Sequence, residues 1–136
     1  MNEKIKSFLQ DNSLLCWAMQ DDDGVYCANA FYAFDEANLS LIIASHENTR
    51  HIELARQNAR ISVNVAKFGS VASLKGIQIK AVFDKASKAQ SKLYYARFPF
   101  ARLKGGSCFA LCIHYAKFTD NALGKKLEFR RTQGDE

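Results

Sequence analysis

The chain has no apolar run that approaches the roughly 18 residues needed to span a bilayer, so no membrane-crossing segment is expected. Its opening, MNEKIKSFLQDNS, carries acidic residues and lacks an apolar core followed by a small-residue cleavage site. We therefore expect no signal peptide and a cytoplasmic location. No GxGxxG or Walker-type loop is present, which leaves a Rossmann or P-loop reading without support. Cys16, Cys27, Cys108 and Cys112 show neither CxxC spacing nor a zinc-type histidine arrangement, and read as reduced thiols. His46, His51 and His114 fall in two separate segments, and none of them is set at the i,i+4 spacing of two ligands on one helical face. No metal site is expected. The net charge of +5 is not gathered into one block, and no basic stripe interleaved with exposed aromatics exists to bind nucleic acid. Scattered positive charge would still suit a small anionic ligand.

A chain of 136 residues, 48% of them hydrophobic, can bury a core of its own, and we read residues 1–136 as one domain. Lys4 to Gln10 has the pattern of a short amphipathic helix, with Ile5, Phe8 and Leu9 on one side. Leu14 to Gln20 reads as a strand, Asp21-Asp22-Asp23-Gly24 as a tight turn, and Val25 to Phe34 as the partner strand. Leu39 to Ala44 is a nearly continuous apolar run, expected as a strand buried on both faces. A helix follows around Ile52, Ala55 and Arg56. Arg60 to Val65 alternates as a half-buried strand, and Val71 to Phe83 contains the alternating set GIQIKAVF. Asp84 to Phe98 reads as a helix ended by Pro99, the single proline. Ser107 to Phe118 and Lys126 to Arg130 complete the strands, and Gly134-Asp135-Glu136 reads as a frayed tail. An antiparallel meander with helices inserted predicts an α+β, mainly β protein: a barrel-like sheet of six or seven strands with two or three helices.

Three stretches carry chemistry. The cluster Ser45-His46-Glu47-Asn48-Thr49-Arg50-His51 joins a buried strand to a helix start. First-turn N–H groups lack intrahelical partners there, and hydroxyls with a guanidinium would add charge-assisted bonds to an anion. The alternative is that Ser45 and Asn48 or Thr49 simply cap the helix and Arg50 is solvated. Ala28, Asn29 and Ala30 place small side chains where a planar ligand could approach the backbone, or where room is made for Trp17, Tyr26 or Phe31. Gly76-Ile77-Gln78 puts a glycine inside a strand, next to an amide able to match a heterocycle edge or simply to face solvent.

The strand CANAFYAFDEANLSLIIAS, the TRH that opens a helix, RISVNV and the GIQIKA strand together resemble the FMN-binding split-barrel superfamily of pyridoxamine 5'-phosphate oxidase. The likeness is nearer still to the small bacterial YhbP-like group, through Ser45 to His51, Gly76 to Gln78, and Thr119-Asp120-Asn121 with Gly124. It covers roughly Leu14 to Phe129. What the resemblance implies is an antiparallel split β-barrel forming a homodimer, with FMN at the interface and flavin-dependent oxidoreduction of a small-molecule substrate. By the same resemblance Ser45, Thr49, Arg50 and His51 would hold the phosphate. Ala28, Asn29, Ala30 and Gln78 would approach the flavin ring, and Lys125 of a second subunit would help close the site. The chain departs from the pattern at Phe129, where relatives often carry Trp, and the substrate-binding basic residues of the oxidases have no match. No catalytic side chain or substrate is assigned. Other split-barrel relatives bind haem without turnover, and His46, His51 or His114 would then supply an axial ligand.

Overall fold

The computed structural model describes residues 1–132; the tail expected at Gly134 to Glu136 lies outside them. Helix α1, Glu3–Asp11, starts at Asn2, whose side chain accepts from the Lys4 N–H, and buries Ile5, Phe8 and Leu9. Strands β1, Leu14–Asp21, and β2, Gly24–Phe31, form a hairpin in which Asp21 faces Gly24 across the turn. Leu15, Trp17 and Met19 point into the core while Leu14 is exposed, as period-two alternation requires.

The expected strand Val25 to Phe34 breaks at Tyr32. The Tyr32 N–H donates to the Ser13 carbonyl (2.8 Å) and its hydroxyl donates to the Leu9 carbonyl (2.9 Å). This anchor turns the chain away from β1. A short strand β3, Ala33–Asp35, then pairs with β4, Ser40–Ser45, instead. Among the described residues the sheet therefore has eight strands, one more than the upper count expected. Leu39 stands outside β4 in a turn with φ 48°, and Ser40 to Ile43 are buried on both faces.

Helix α2, Arg50–Gln57, leads to β5, Arg60–Lys67, which pairs with β1 on one side and with β6, Lys75–Lys85, on the other. Strand β6 starts later than expected, Val71 being 80% exposed in a turn. It also runs further, because Asp84 and Lys85 pair with Ala110 and Phe109. Helix α3, Lys88–Arg97, consequently begins four residues after Asp84, closed by a reciprocal capping box between Ser87 and Gln90. Pro99–Lys104 forms a 3-10 turn.

Strand β7, Ser107–Asp120, is the longest, at 14 residues. It pairs with β6 along one edge, and along the other with β4 and then with β8, Lys125–Arg130. Changing partners along one edge is what splits the barrel. A register shift opposite Lys80 and Ala81 leaves His114 and Tyr115 both partly exposed while Ile113 and Ala116 stay buried. The bulge thus switches parity while His114 and Tyr115 both stay out of the core. The sheet order is β2-β1-β5-β6-β7-β4-β3, with β8 on β7: an α+β, mainly antiparallel split barrel.

Trp17, Phe83 and Phe109 stack in sequence through the interior, with ring centroids 5.9 and 5.2 Å apart. Around them Ile77, Leu111 and Ile113 are fully buried, each worth about 1.5–3 kcal/mol of apolar transfer. A second, smaller cluster of Ala33, Ile42, Tyr94, Cys108 and Ala110 fastens α3 to the outside of β4 and β7. That attachment sets one wall of the cleft described next. Among the described residues no helix is long and apolar enough to cross a membrane.

Candidate functional site

Strand β4 ends at Ser45, and five residues later α2 begins. Thr49 takes the N-cap position, yet its side chain makes no cap hydrogen bond. It donates instead to the His46 carbonyl (3.0 Å), leaving the first-turn N–H groups without a capping oxygen. Ser45 Oγ lies 2.9 Å from His51 Nε2 and 3.2 Å from Thr49 Oγ1, and Thr49 Oγ1 lies 3.2 Å from the same ring nitrogen. Two hydroxyls and one imidazole thus converge at the mouth of the helix. Burial pushes the His51 pKa below its ordinary value, which favours the neutral ring. The Trp17 indole meets the His51 ring edge-to-face at 5.6 Å, tying the cluster to the barrel core.

A cleft of about 630 Å³ opens over this cluster. The end of β2 contributes Asn29, Ala30 and Phe31; β4 contributes Ile43 and Ser45; α3 and the 3-10 turn close the far side with Arg97, Phe98 and Lys104. Its walls are mainly apolar with a few convergent polar groups, the usual make-up of a small-molecule site. Gly105 and Gly106, at φ 71° and 92°, let the chain after the 3-10 turn press against β4. A Cβ on Gly106 would stand 2.8 Å from the Ser45 carbonyl oxygen, so only glycine permits this approach.

The chain brings together part of the set expected from sequence. Asn29, Ala30, Ser45 and His51 line the cleft, and Thr49 joins through its hydrogen bonds. Arg50 turns aside: its guanidinium pairs with Asp21 at 2.6 Å, at the tip of the β1–β2 hairpin. Ala28 faces Trp17 across the hairpin and packs on the core. Gln78 stands in another place, opposite Asn64 on the outer face of β6, lining a shallow hollow of about 340 Å³ with Cys16 and Tyr115. Lys125 begins β8 opposite Asp120.

Arg97 and Lys104 were missed by sequence reasoning. Nothing in the sequence shows that α3, which carries Arg97, docks beside β4. In the structure the Arg97 guanidinium donates to the Tyr32 carbonyl (3.2 Å) and lies 5.5 Å over the Phe98 ring. It stands at the same break in the chain that ends β2.

No protein-family model matches the chain. A UPF0306 protein of Campylobacter jejuni is 54% identical over 132 residues, covering 95% of this chain and 98% of that protein. The UPF0306 protein YhbP of Escherichia coli is 32% identical over 139 residues, covering 97% and 95%. Among solved structures, an FAD-binding protein of Mesorhizobium loti superposes with a TM-score of 0.71 at 20% identity, over 83% of this chain and 87% of that one. The haem storage protein HutZ of Vibrio cholerae gives 0.66 at 17% identity, over 82% and 88%. A Listeria innocua protein provisionally named a pyridoxamine 5'-phosphate oxidase gives 0.70 at 13%, over 88% and 97%. At these identities the structures speak for the fold alone. Identity with the two relatives over nearly their whole length goes further: the chain belongs to the UPF0306 family, the YhbP-like group.

Proposed function

We propose that this protein binds FMN in the cleft between β4, α2 and α3 and works as a flavin-dependent oxidoreductase on a small-molecule substrate. The observation that carries the reading is the joining, in one cleft, of an uncapped helix N-terminus with Thr49 and His51, and Ser45 beside it at the end of β4, to walls formed by Ala30, Ile43 and Phe98. The first end suits a phosphate, through N–H groups, hydroxyls and the helix dipole. The second suits a flat heterocycle. Arg97 and Lys104 add positive charge at the rim. FMN has both parts, a phosphate and a planar ring, and the cleft lies within the size range of cofactor sites. When bound, the flavin supplies the redox chemistry, and the protein's part is to hold, orient and shield it. No acid or base side chain is assigned a catalytic role.

Gln78 and Lys125 lie outside the cleft of their own protomer. A homodimer would let these residues of one copy reach the cleft of the other, and we take that as the working assembly. The names of two fold neighbours, one binding FAD and one storing haem, agree with a ligand site on this barrel. Titration of the purified protein with FMN, followed by absorbance and flavin fluorescence, tests the reading. Saturable quenching supports it, and FMN that stays free in solution refutes it.

A second reading has one observation in its favour. His46 lies at the cleft, exposed, where its imidazole could serve as an axial ligand to haem. A sharp Soret band on adding haemin, lost in His46→Ala, would favour it over flavin.

A further inference from the structure

Behind the Pro99–Lys104 turn lies a second hollow, of about 700 Å³, that the flavin reading does not use. Four cations face it: Lys85 from the end of β6, Lys88 and Lys92 one turn apart on α3, and Arg102 from the 3-10 turn. No aspartate or glutamate lines it, and among the described residues none of the four forms an ion pair. Like charges drawn into one hollow repel one another, so the arrangement favours an anion that answers several of them together. The Arg102 guanidinium also lies 4.5 Å over the ring of Tyr95, making a flat cationic and aromatic platform at the hollow's edge. Gly106 and Ser107 also line it.

We propose that this hollow binds a nucleotide, with its phosphates among Lys85, Lys88 and Lys92 and its base stacked on the Tyr95–Arg102 platform. Lysines act as adaptable point charges for phosphate oxygens, and a guanidinium over an aromatic ring stacks on a base face. A single inorganic phosphate would leave both the platform and part of the charge unused. A nucleic-acid strand would call for a basic track, whereas these cations converge on one place. The proposal is independent of the flavin site, since the two cavities have no residue in common.

The test is calorimetric titration of the full chain with ADP, beside adenosine, pyrophosphate and a single-stranded oligonucleotide, at low and raised salt. The expected result is saturable, salt-sensitive ADP binding, with adenosine and pyrophosphate each weaker by about ten-fold or more. The double variant Lys88→Glu with Lys92→Glu changes two exposed side chains and should weaken ADP by at least about ten-fold while FMN affinity stays unchanged. Tyr95→Leu should bring ADP down to the affinity of pyrophosphate. Absent ADP binding overturns the assignment. So does pyrophosphate binding as tightly as ADP, an oligonucleotide binding more tightly than either, or indifference to the charge reversal. Loss of FMN binding in the double variant would mean that flavin phosphate occupies this hollow, and would overturn it as well.

Discussion

The hydroxyl of Ser45 lies 2.9 Å from Nε2 of His51, joining the last residue of β4 to the first turn of α2. That bond holds an imidazole whose pKa burial has lowered from its ordinary value of 6.5. The unfolded chain therefore binds more protons at His51 than the folded chain does between that value and the lower folded one. Stability from this source is intact above about pH 6.5 and is lost as pH falls through the folded pKa. Urea unfolding at about pH 7.5 and about pH 5.5 should show a larger loss for the natural protein than for His51→Asn. Equal losses in the two would contradict the assignment.

Arg50 and Asp21 make a sharper prediction because the ion pair competes with the proposed ligand. If the guanidinium swings to the FMN phosphate, Asp21→Asn should tighten FMN binding and Arg50→Ala should weaken it by about 1.5–3 kcal/mol. The pair is half exposed on its arginine side, so neither change should alter folding stability by more than about 1 kcal/mol. Paired titrations and denaturation curves measure both. Unchanged FMN affinity in Arg50→Ala would remove this residue from the site.

Gly106 and Gly124 separate backbone strain from crowding. Both have positive φ, but a Cβ on Gly124 meets nothing within 4 Å, while one on Gly106 meets the Ser45 carbonyl at 2.8 Å. Gly124→Ala should cost about 1–2 kcal/mol, the left-handed penalty alone. Gly106→Ala should cost more and should also weaken FMN, because Ser45 has to move. Thermal unfolding of the two variants, with FMN titrations, gives the comparison. Equal costs would show that the segment yields without disturbing β4.

Ala28 and Ala30 are two residues apart on one face of β2, and both pack on the core. Ala30 also lines the cleft, whereas Ala28 faces Trp17 across the hairpin and does not. Ala30→Leu should exclude FMN with the circular dichroism spectrum retained. Ala28→Leu should instead crowd Trp17 and lower stability by about 1–3 kcal/mol. Normal FMN binding in Ala30→Leu would put the ring elsewhere.

The barrel was legible because its strands alternate cleanly. Ile61, Val63 and Val65 announce the buried face of β5, and the apolar run Leu41 to Ile43 announces a strand covered on both sides. What escaped is set by distant contacts. Tyr32 breaks the apolar stretch Ala30 to Phe34 where Leu9 and Ser13 offer carbonyls to it, and neither is near in sequence. Asp84 and Lys85 have helix-like neighbours, yet the ladder to Phe109 and Ala110 keeps them extended. At the site, the Ser45 to His51 cluster stands out locally because strand end and helix start adjoin in the chain. Arg97 does not, since its place beside the cleft follows from how Tyr94 docks α3 on Ile42 and Ala110. The partner expected for Arg50 was a ligand, and the one found, Asp21, is brought to it by the hairpin.

The central claim is that FMN occupies the cleft above Ser45 and His51. Trp17, the only tryptophan, lies 5.6 Å from the His51 ring and so reports on that place from inside the barrel. FMN titration, read as quenching of both Trp17 and flavin fluorescence, measures the claim most directly. The account predicts that both signals fall together to one saturation point, and that Ser45→Ala combined with Thr49→Ala moves this point to higher FMN. Flavin fluorescence that stays at its free value, with Trp17 emission unchanged, would contradict it.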